Sequence, residues 1–349
     1  MLKFLQTFIT GGPRKADAGT IISQVLAPPI EVTADGVESF PLPPHISSDS
    51  GFPILDWQAA QVWVETIPDI EARAAAWSRL ERSWLEHMRA ALGSSYVLHE
   101  THDSFLLSTL ESNIATATLR YMSKTLQRVV RVLDGIAEVS DWGKDILLVF
   151  DDDATYYRYV AHYYNSEGEF ASSSGMFINA GCGHFAAFKS DLRSIEPVIA
   201  HEMTHGCVSH LPIPAWLNEG LAVNTEQKLS PSGPPVLTPQ QMHAKHRAFW
   251  GDAEIQEFWS GKSFLRTDDG NMLSYDLARI LVSQLSSDWQ TFRSFVLNAN
   301  LVDAGAASAV EHLQLDLGAA ASAILERQSA SGWAPNPAVW NEAPEPGAF

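Results

Sequence analysis

The segment 195–226, IEPVIAHEMTHGCVSHLPIPAWLNEGLAVNTE, gathers the side chains best suited to chemistry. It contains His201-Glu202-Met203-Thr204-His205, an HExxH pattern. On a helix, positions i and i+4 share a face one turn apart, so the two imidazoles converge on one point. Glu202 is displaced around the helix and reaches a water brought to a metal without being a ligand. A carboxylate so placed acts as general base for hydrolysis by a zinc-activated water.

The spacing to the next acid supplies a third ligand. Ser194 and Pro197 suit the opening of the HExxH helix, as N-cap and first-turn residue. Pro212 and Pro214 should break the chain after that helix ends near His210, and a second helix can begin at Pro214. His205 lies five residues before the first end, and Glu219 five residues after the second start. If the helices fold back on each other, five residues of rise, about 7.5 Å, bring Glu219 level with His205. His201, His205 and Glu219 with a water then make the open tetrahedral set of one catalytic Zn2+ ion. Gly220 costs roughly 1 kcal/mol inside a helix, which a close helix–helix approach beside the metal would explain.

HEMTH followed by AWLNEGLA resembles the gluzincin zinc metallopeptidases, in particular the peptidase-MA-like families in which a WLxEGLA segment follows HExxH after a short link. The resemblance is sharp over about 30 residues, looser over 95–328, and absent from 1–90. It implies Glu219 as third ligand, and it makes Tyr275, in NMLSYDLARILV, similar to the family's donor to the tetrahedral oxyanion, with a packing Tyr as the other reading. Charge develops on that oxygen, so a positioned hydroxyl there would lower the barrier. The aminopeptidase branch carries an upstream G-x-M-E-N motif that has no counterpart here, so exopeptidase specificity is not implied. A metzincin pattern would want Gly at 208 and His at 211, where this chain has Val208 and Leu211.

The other candidates carry blander readings. His210 reads as a helix-end histidine. Glu226, two turns beyond Glu219, could orient a metal-bound His, although a solvated surface carboxylate is the favoured reading. Cys182 and Cys207 read as small buried hydrophobes. His184, in GCGHFAAF, falls near the strand that an extended peptide would pair with, and is the alternative to Tyr275 as oxyanion donor.

The elements that must position these residues follow from periodicity. Trp77, Leu80, Trp84, Met88 and Leu92 recur at helical steps before Gly93, which marks 56–93 as a helical segment. From about 95 short strands alternate with helices: strands at 96–100, 104–108 and 145–150, a long helix at 109–134, and a Tyr-rich helix at 152–164. Residues 172–190 suit a hairpin or edge strand, and an extended peptide substrate should pair with the part 175–188. Helices at 195–210, 214–228 and 272–287 follow, with a Pro-rich stretch at 231–239 and an insertion of mixed composition before the third. A last helix covers 304–328. Residues 1–55, with PLPPH and SSDSGFP, read as an extended arm or linker, and 329–349 as a Pro-rich tail. The domain expected over 94–328 is α+β and zincin-like, with a small sheet packed on the active-site helix and a helical C-terminal lobe.

Composition bounds the function. Among 349 residues, Lys and Arg number 23 against 41 Asp and Glu, for a net charge of −18. Phosphate binding rests on cationic side chains, so a nucleic-acid partner is not expected. No apolar run approaches the roughly 18 residues of a membrane span. Two Cys exclude a dense disulfide framework. The amino terminus MLKFLQTFITGGPRK lacks a long apolar core, so a cytoplasmic protein is expected, with secretion as the alternative. The expected partner is a peptide or protein substrate. Against the peptidase stand two other readings: a catalytically silent zincin-fold binding or scaffold protein, and a zinc hydrolase of a non-peptide amide.

Overall fold

The computed structural model describes residues 21–22, 27–48, 51–140, 142–163, 175–190, 192–230, 237–327 and 332–340. The chain opens with β1 (Ile21–Ile22) and two small ladders, β2 (Glu31–Val32) with β3 (Phe40–Pro41) and β4 (Ile46–Ser47) with β5 (Ile54–Leu55). Helices α1 (Trp57–Glu65) and α2 (Ile70–Leu92) follow. Each begins where an Asp side chain accepts from a backbone N–H three residues on, Asp56 from Ala59 and Asp69 from Ala72. α2 stops at Gly93, whose φ of 113° suits glycine.

The central sheet then assembles from β6 (Val97–Glu100), β7 (Ser104–Ser108), β8 (Asp145–Phe150), β9 (Gly175–Asn179) and β10 (Gly183–Phe188), with β1 at one edge. The spatial order is β1-β6-β7-β8-β10-β9. β7, β8 and β10 run parallel, while β6 and β9 pair antiparallel to their neighbours. The crossover from β7 to β8 is α3 (Ser112–Val132), and α4 (Asp153–Val160) follows β8. The alternation of side chains divides the core in two. Leu106, Leu147, Val149, Phe177, Phe185 and Ala187 meet α3 and the helices that follow the sheet. Phe105, Leu107, Ile146, Leu148, Phe150 and Ala186 meet Leu80, Trp84 and Met88 of α2 and Tyr156 and Tyr159 of α4. After Asp145, ILLVF is apolar throughout because it is covered on both faces.

After β10 the chain is helical: α5 (Leu192–Val208), α6 (Ala215–Leu229), α7 (Pro239–Phe249), α8 (Asp252–Ser260), α9 (Asp269–Leu285) and α10 (Trp289–Asn298). A short turn α11 (Ala306–Ser308) runs on into a π-type turn, and α12 (Leu317–Ile324) closes the lobe. The protein is thus a mixed α/β fold, with the sheet complete by Phe188 and a helical lobe after it. Among the described residues no helix is long and apolar enough to cross a membrane.

Several expectations shift. The described part of 1–55 is extended, but Val32, Phe40, Leu42, Phe52 and Leu55 are buried in the same core as α2, so it packs on the body. The insertion after α6 contains two helices, α7 and α8. The helix expected over 304–328 is broken, because Gln314 adopts a φ of 53° and Asp316 caps a fresh start at α12. Residues 332–340 of the tail dock on the lobe. Trp333 is buried, its indole N–H donates to Asp252, and its carbonyl accepts from the Trp259 indole.

Candidate metal centre

α5 lies on the sheet against β9 and β10, with Ile195, Ile199, Met203 and Cys207 buried beneath it. It starts at Leu192 instead of near 195, so Ser194 lies inside the helix and cannot be its N-cap. Pro197 accordingly sits more than a turn in and removes one internal hydrogen bond. The helix ends at Val208, and α6 starts at Ala215 with Pro214 as an extended N-cap residue whose carbonyl accepts from Leu217 and Asn218. The short link folds α6 back along α5, and Trp216, fully buried, anchors it by donating to the Ala304 carbonyl.

This fold-back brings Glu219 to the two imidazoles. Glu219 Oε2 lies 3.2 Å from His201 Nε2 and 3.5 Å from His205 Nε2. Ligand atoms of the three side chains all fall within 4.8 Å of one another, and no other described His, Cys, Asp or Glu side chains form such a group. Two ligands of a tetrahedral ion with bonds near 2.05 Å stand about 3.4 Å apart, which the two separations from Glu219 match.

Two further side chains hold the rings. His201 Nδ1 lies 3.1 Å from Glu226 Oε2, and His205 Nδ1 lies 2.9 Å from Asn218 Oδ1. Each Nδ1–H donates outward, and both Nε2 atoms face Glu219, where a bound cation would displace their protons. Glu226 is therefore not the solvated surface acid favoured from the sequence. Asn218 was missed. Its signal is its place beside Glu219, and that carries meaning only once His205 is known to face it.

The electrostatics are those of a buried charge cluster. Burial works against ionised Glu219, yet the flanking His205 and His201 hold its carboxyl down at about 2. Burial would also lower His201, but its bonds to Glu219 and Glu226 outweigh this and hold the imidazole well above its ordinary value. His205 is likewise raised, by the Glu219 charge against the effect of burial. A bound cation would take over the role these protons play beside Glu219.

Glu202 is buried beside the cluster, and burial pushes its carboxyl up from the usual range against the pull of His201 and His205. The backbone N–H of Phe177, on edge strand β9, donates to it. Gly175 permits that approach, since a Cβ there would lie 2.2 Å from Val198 Cγ1 of α5. Gly220 has the same logic on α6. A Cβ there would stand 2.5 Å from Val282 Cγ2 and 2.7 Å from the Ala278 carbonyl oxygen, so α6 and α9 touch at the level of the cluster.

α9 carries Tyr275 to this side. The residue is half-buried, with its ring centroid 6.3 Å from that of His201 and edge-on to Phe264 at 5.2 Å. His184 belongs elsewhere. It is buried in the core on the opposite face of the sheet, against Trp84, with Nε2 on the Tyr159 hydroxyl at 2.7 Å and Nδ1 on the Cys182 carbonyl at 2.9 Å. Burial lowers its pKa to about 4, and it does not reach the face that holds His201, His205 and Glu219. His210 follows the end of α5, 3.7 Å from Glu138, and is not part of the cluster. Cys182 and Cys207 are buried unpaired thiols in the two separate cores. Compared with known proteins, the chain matches no protein-family model and none of the curated proteins.

Proposed function

We propose that this chain is a zinc-dependent metallopeptidase with a zincin-like fold of the gluzincin type. The observation that carries the reading is the convergence of His201, His205 and Glu219 with a non-ligating carboxylate, Glu202, held beside them. Three protein ligands leave a coordination position open, as catalytic zinc sites do and closed structural sites do not. A zinc ion held there would acidify a water and polarise a substrate carbonyl.

The chain's own groups supply the rest. Glu202 accepts the proton of the attacking water, and its raised pKa brings it closer to the neutral range in which a base can also give the proton back. It then delivers that proton to the leaving amine nitrogen. The Tyr275 hydroxyl donates to the carbonyl oxygen as charge develops on it. An extended peptide pairs with the outer edge of β9, which puts its scissile bond alongside Glu202.

The test uses the whole chain and an unfolded protein substrate. Cleavage should stop on treatment with a zinc chelator and return on adding stoichiometric zinc. A chain that binds one zinc yet cleaves nothing across a broad peptide library would support the scaffold reading instead. Cleavage of small acyl amides without peptides would support the non-peptide hydrolase.

A further inference from the structure

The geometry points to His246 on α7 as a positioning residue that sets the direction of Tyr275 through Asp276, a role that rests on Tyr275 being the oxyanion donor. α9 is gripped on two sides. On one, Gly220 of α6 lies against Ala278 and Val282, and Asn224 Nδ2 donates to the Arg279 carbonyl at 2.9 Å. On the other, His246 Nε2 meets Asp276 Oδ2 at 2.9 Å.

That second grip is built with some care for direction. His246 is buried, and its Nδ1 accepts from the Trp250 indole N–H at 2.8 Å. The ring proton therefore sits on Nε2 and donates to the carboxylate. Trp250 is itself buried, edge-on to Phe249 and Phe258, so the donor to His246 cannot swing away. The other oxygen, Asp276 Oδ1, accepts from Arg279 Nη2 at 2.7 Å and Nε at 3.1 Å, which fixes the carboxylate's rotamer. Both ring nitrogens are engaged, so His246 has no lone pair left for a ligand or substrate. Its effect has to pass through α9.

Tyr275 and Asp276 are successive residues, so any rotation of α9 that lengthens the His246 bond also swings the Tyr275 hydroxyl. That hydroxyl stands roughly 8 Å from the helix axis, and a rotation of about 10° displaces it by more than 1 Å. Misplacement of a reacting group by about 1 Å can cost on the order of 10²-fold in rate. The segment containing α7 thus has a use that its mixed composition does not announce.

The test is a double-mutant cycle read in kcat, KM and bound zinc. His246→Leu should lower kcat by about 10-fold or more with KM and zinc content unchanged. His246→Gln, which keeps an N–H for Asp276, should recover most of the loss. In a Tyr275→Phe background, His246→Leu should change kcat by less than about twofold, because the group it positions is gone. An equal loss in both backgrounds would mean general destabilisation and would overturn the role. Should His246→Leu fail to fold, Asp276→Ala replaces it under the same expectations.

A readout without activity separates this inference from the peptidase reading. With tyrosine labelled by 13C at Cζ, the Tyr275 resonance is identified by its loss in Tyr275→Phe. It should move in His246→Leu and return in His246→Gln. A resonance that moves in a parent chain with no peptidase activity would uphold the positioning and sink the reaction. A resonance that stays put would overturn the positioning whatever the activity.

Discussion

His201 and His205 are useful to a metal only if their Nε2 atoms present lone pairs to one point, and that depends on what their Nδ1 atoms do. Glu226 and Asn218 accept those protons, so each ligand ring has an outer partner on α6. Removing an outer partner of this kind commonly weakens metal binding by about 10–100-fold. Glu226→Ala and Asn218→Ala should each do so in a zinc titration against a competing chelator, with the far-UV spectrum unchanged. Affinities within about twofold of the parent would mean that the ring orientations are set by packing alone. That His201, His205 and Glu219 come together was legible in the sequence, because i and i+4 on a helix and a Pro-marked fold-back need only local geometry. The outer partners were not, because a Glu two turns further and an Asn one residue before the ligand look the same on any exposed helix.

At the scale of elements, α6 and α9 pack closely at Gly220, where no side chain would fit without a shift. Two effects of opposite sign compete in Gly220→Ala. Alanine is the better helix former by roughly 1 kcal/mol. Against that, its methyl would stand 2.7 Å from a backbone oxygen of α9, which cannot give way as a side-chain tip can. Overpacking of this kind costs about 1–3 kcal/mol, so the variant should be the less stable by thermal unfolding. A variant more stable than the parent would show that the two helices separate freely. The strands and the HExxH helix were legible from period and turn residues, whereas α7 and α8 were not recognised. Yet α7 carries its own start signal, Thr238-Pro239 with Gln241, and the structure forms the full capping box there. What hid it is that only His246 along its length is buried, so the apolar stripe that marks other helices is missing. The buried Val32 and Phe40 were hidden for the opposite reason, since two-residue strands show no period at all.

Over the whole molecule, the sheet separates the face that carries the His201, His205 and Glu219 cluster from a supporting one. On the supporting face Glu81 of α2 is buried, and burial raises its carboxyl from 4.5 to about 8, although the Lys144 backbone N–H donates to it at 3.0 Å. Between those two values the folded chain holds a proton that the unfolded chain has lost. This contribution to stability is therefore complete below about 4.5 and declines as pH rises toward 8. Glu81→Gln carries no such proton, so its melting temperature should match the parent's near pH 4.5 and exceed it by at least about 2–4 °C at pH 8. A difference that does not change with pH would contradict the buried-acid account. On the face of the cluster, the proposed reaction has Glu202 moving protons while His201, His205 and Glu219 would hold a zinc ion. The most direct measurement is bound zinc and turnover on one unfolded protein substrate, for the parent, Glu202→Gln and Glu219→Ala side by side. Glu202→Gln should retain one zinc per chain and lose at least about 10²-fold in turnover, the usual scale for a general base, while Glu219→Ala should lose the zinc itself. A Glu202→Gln chain that cleaves as fast as its parent, or a Glu219→Ala chain that holds zinc as tightly, would contradict the account.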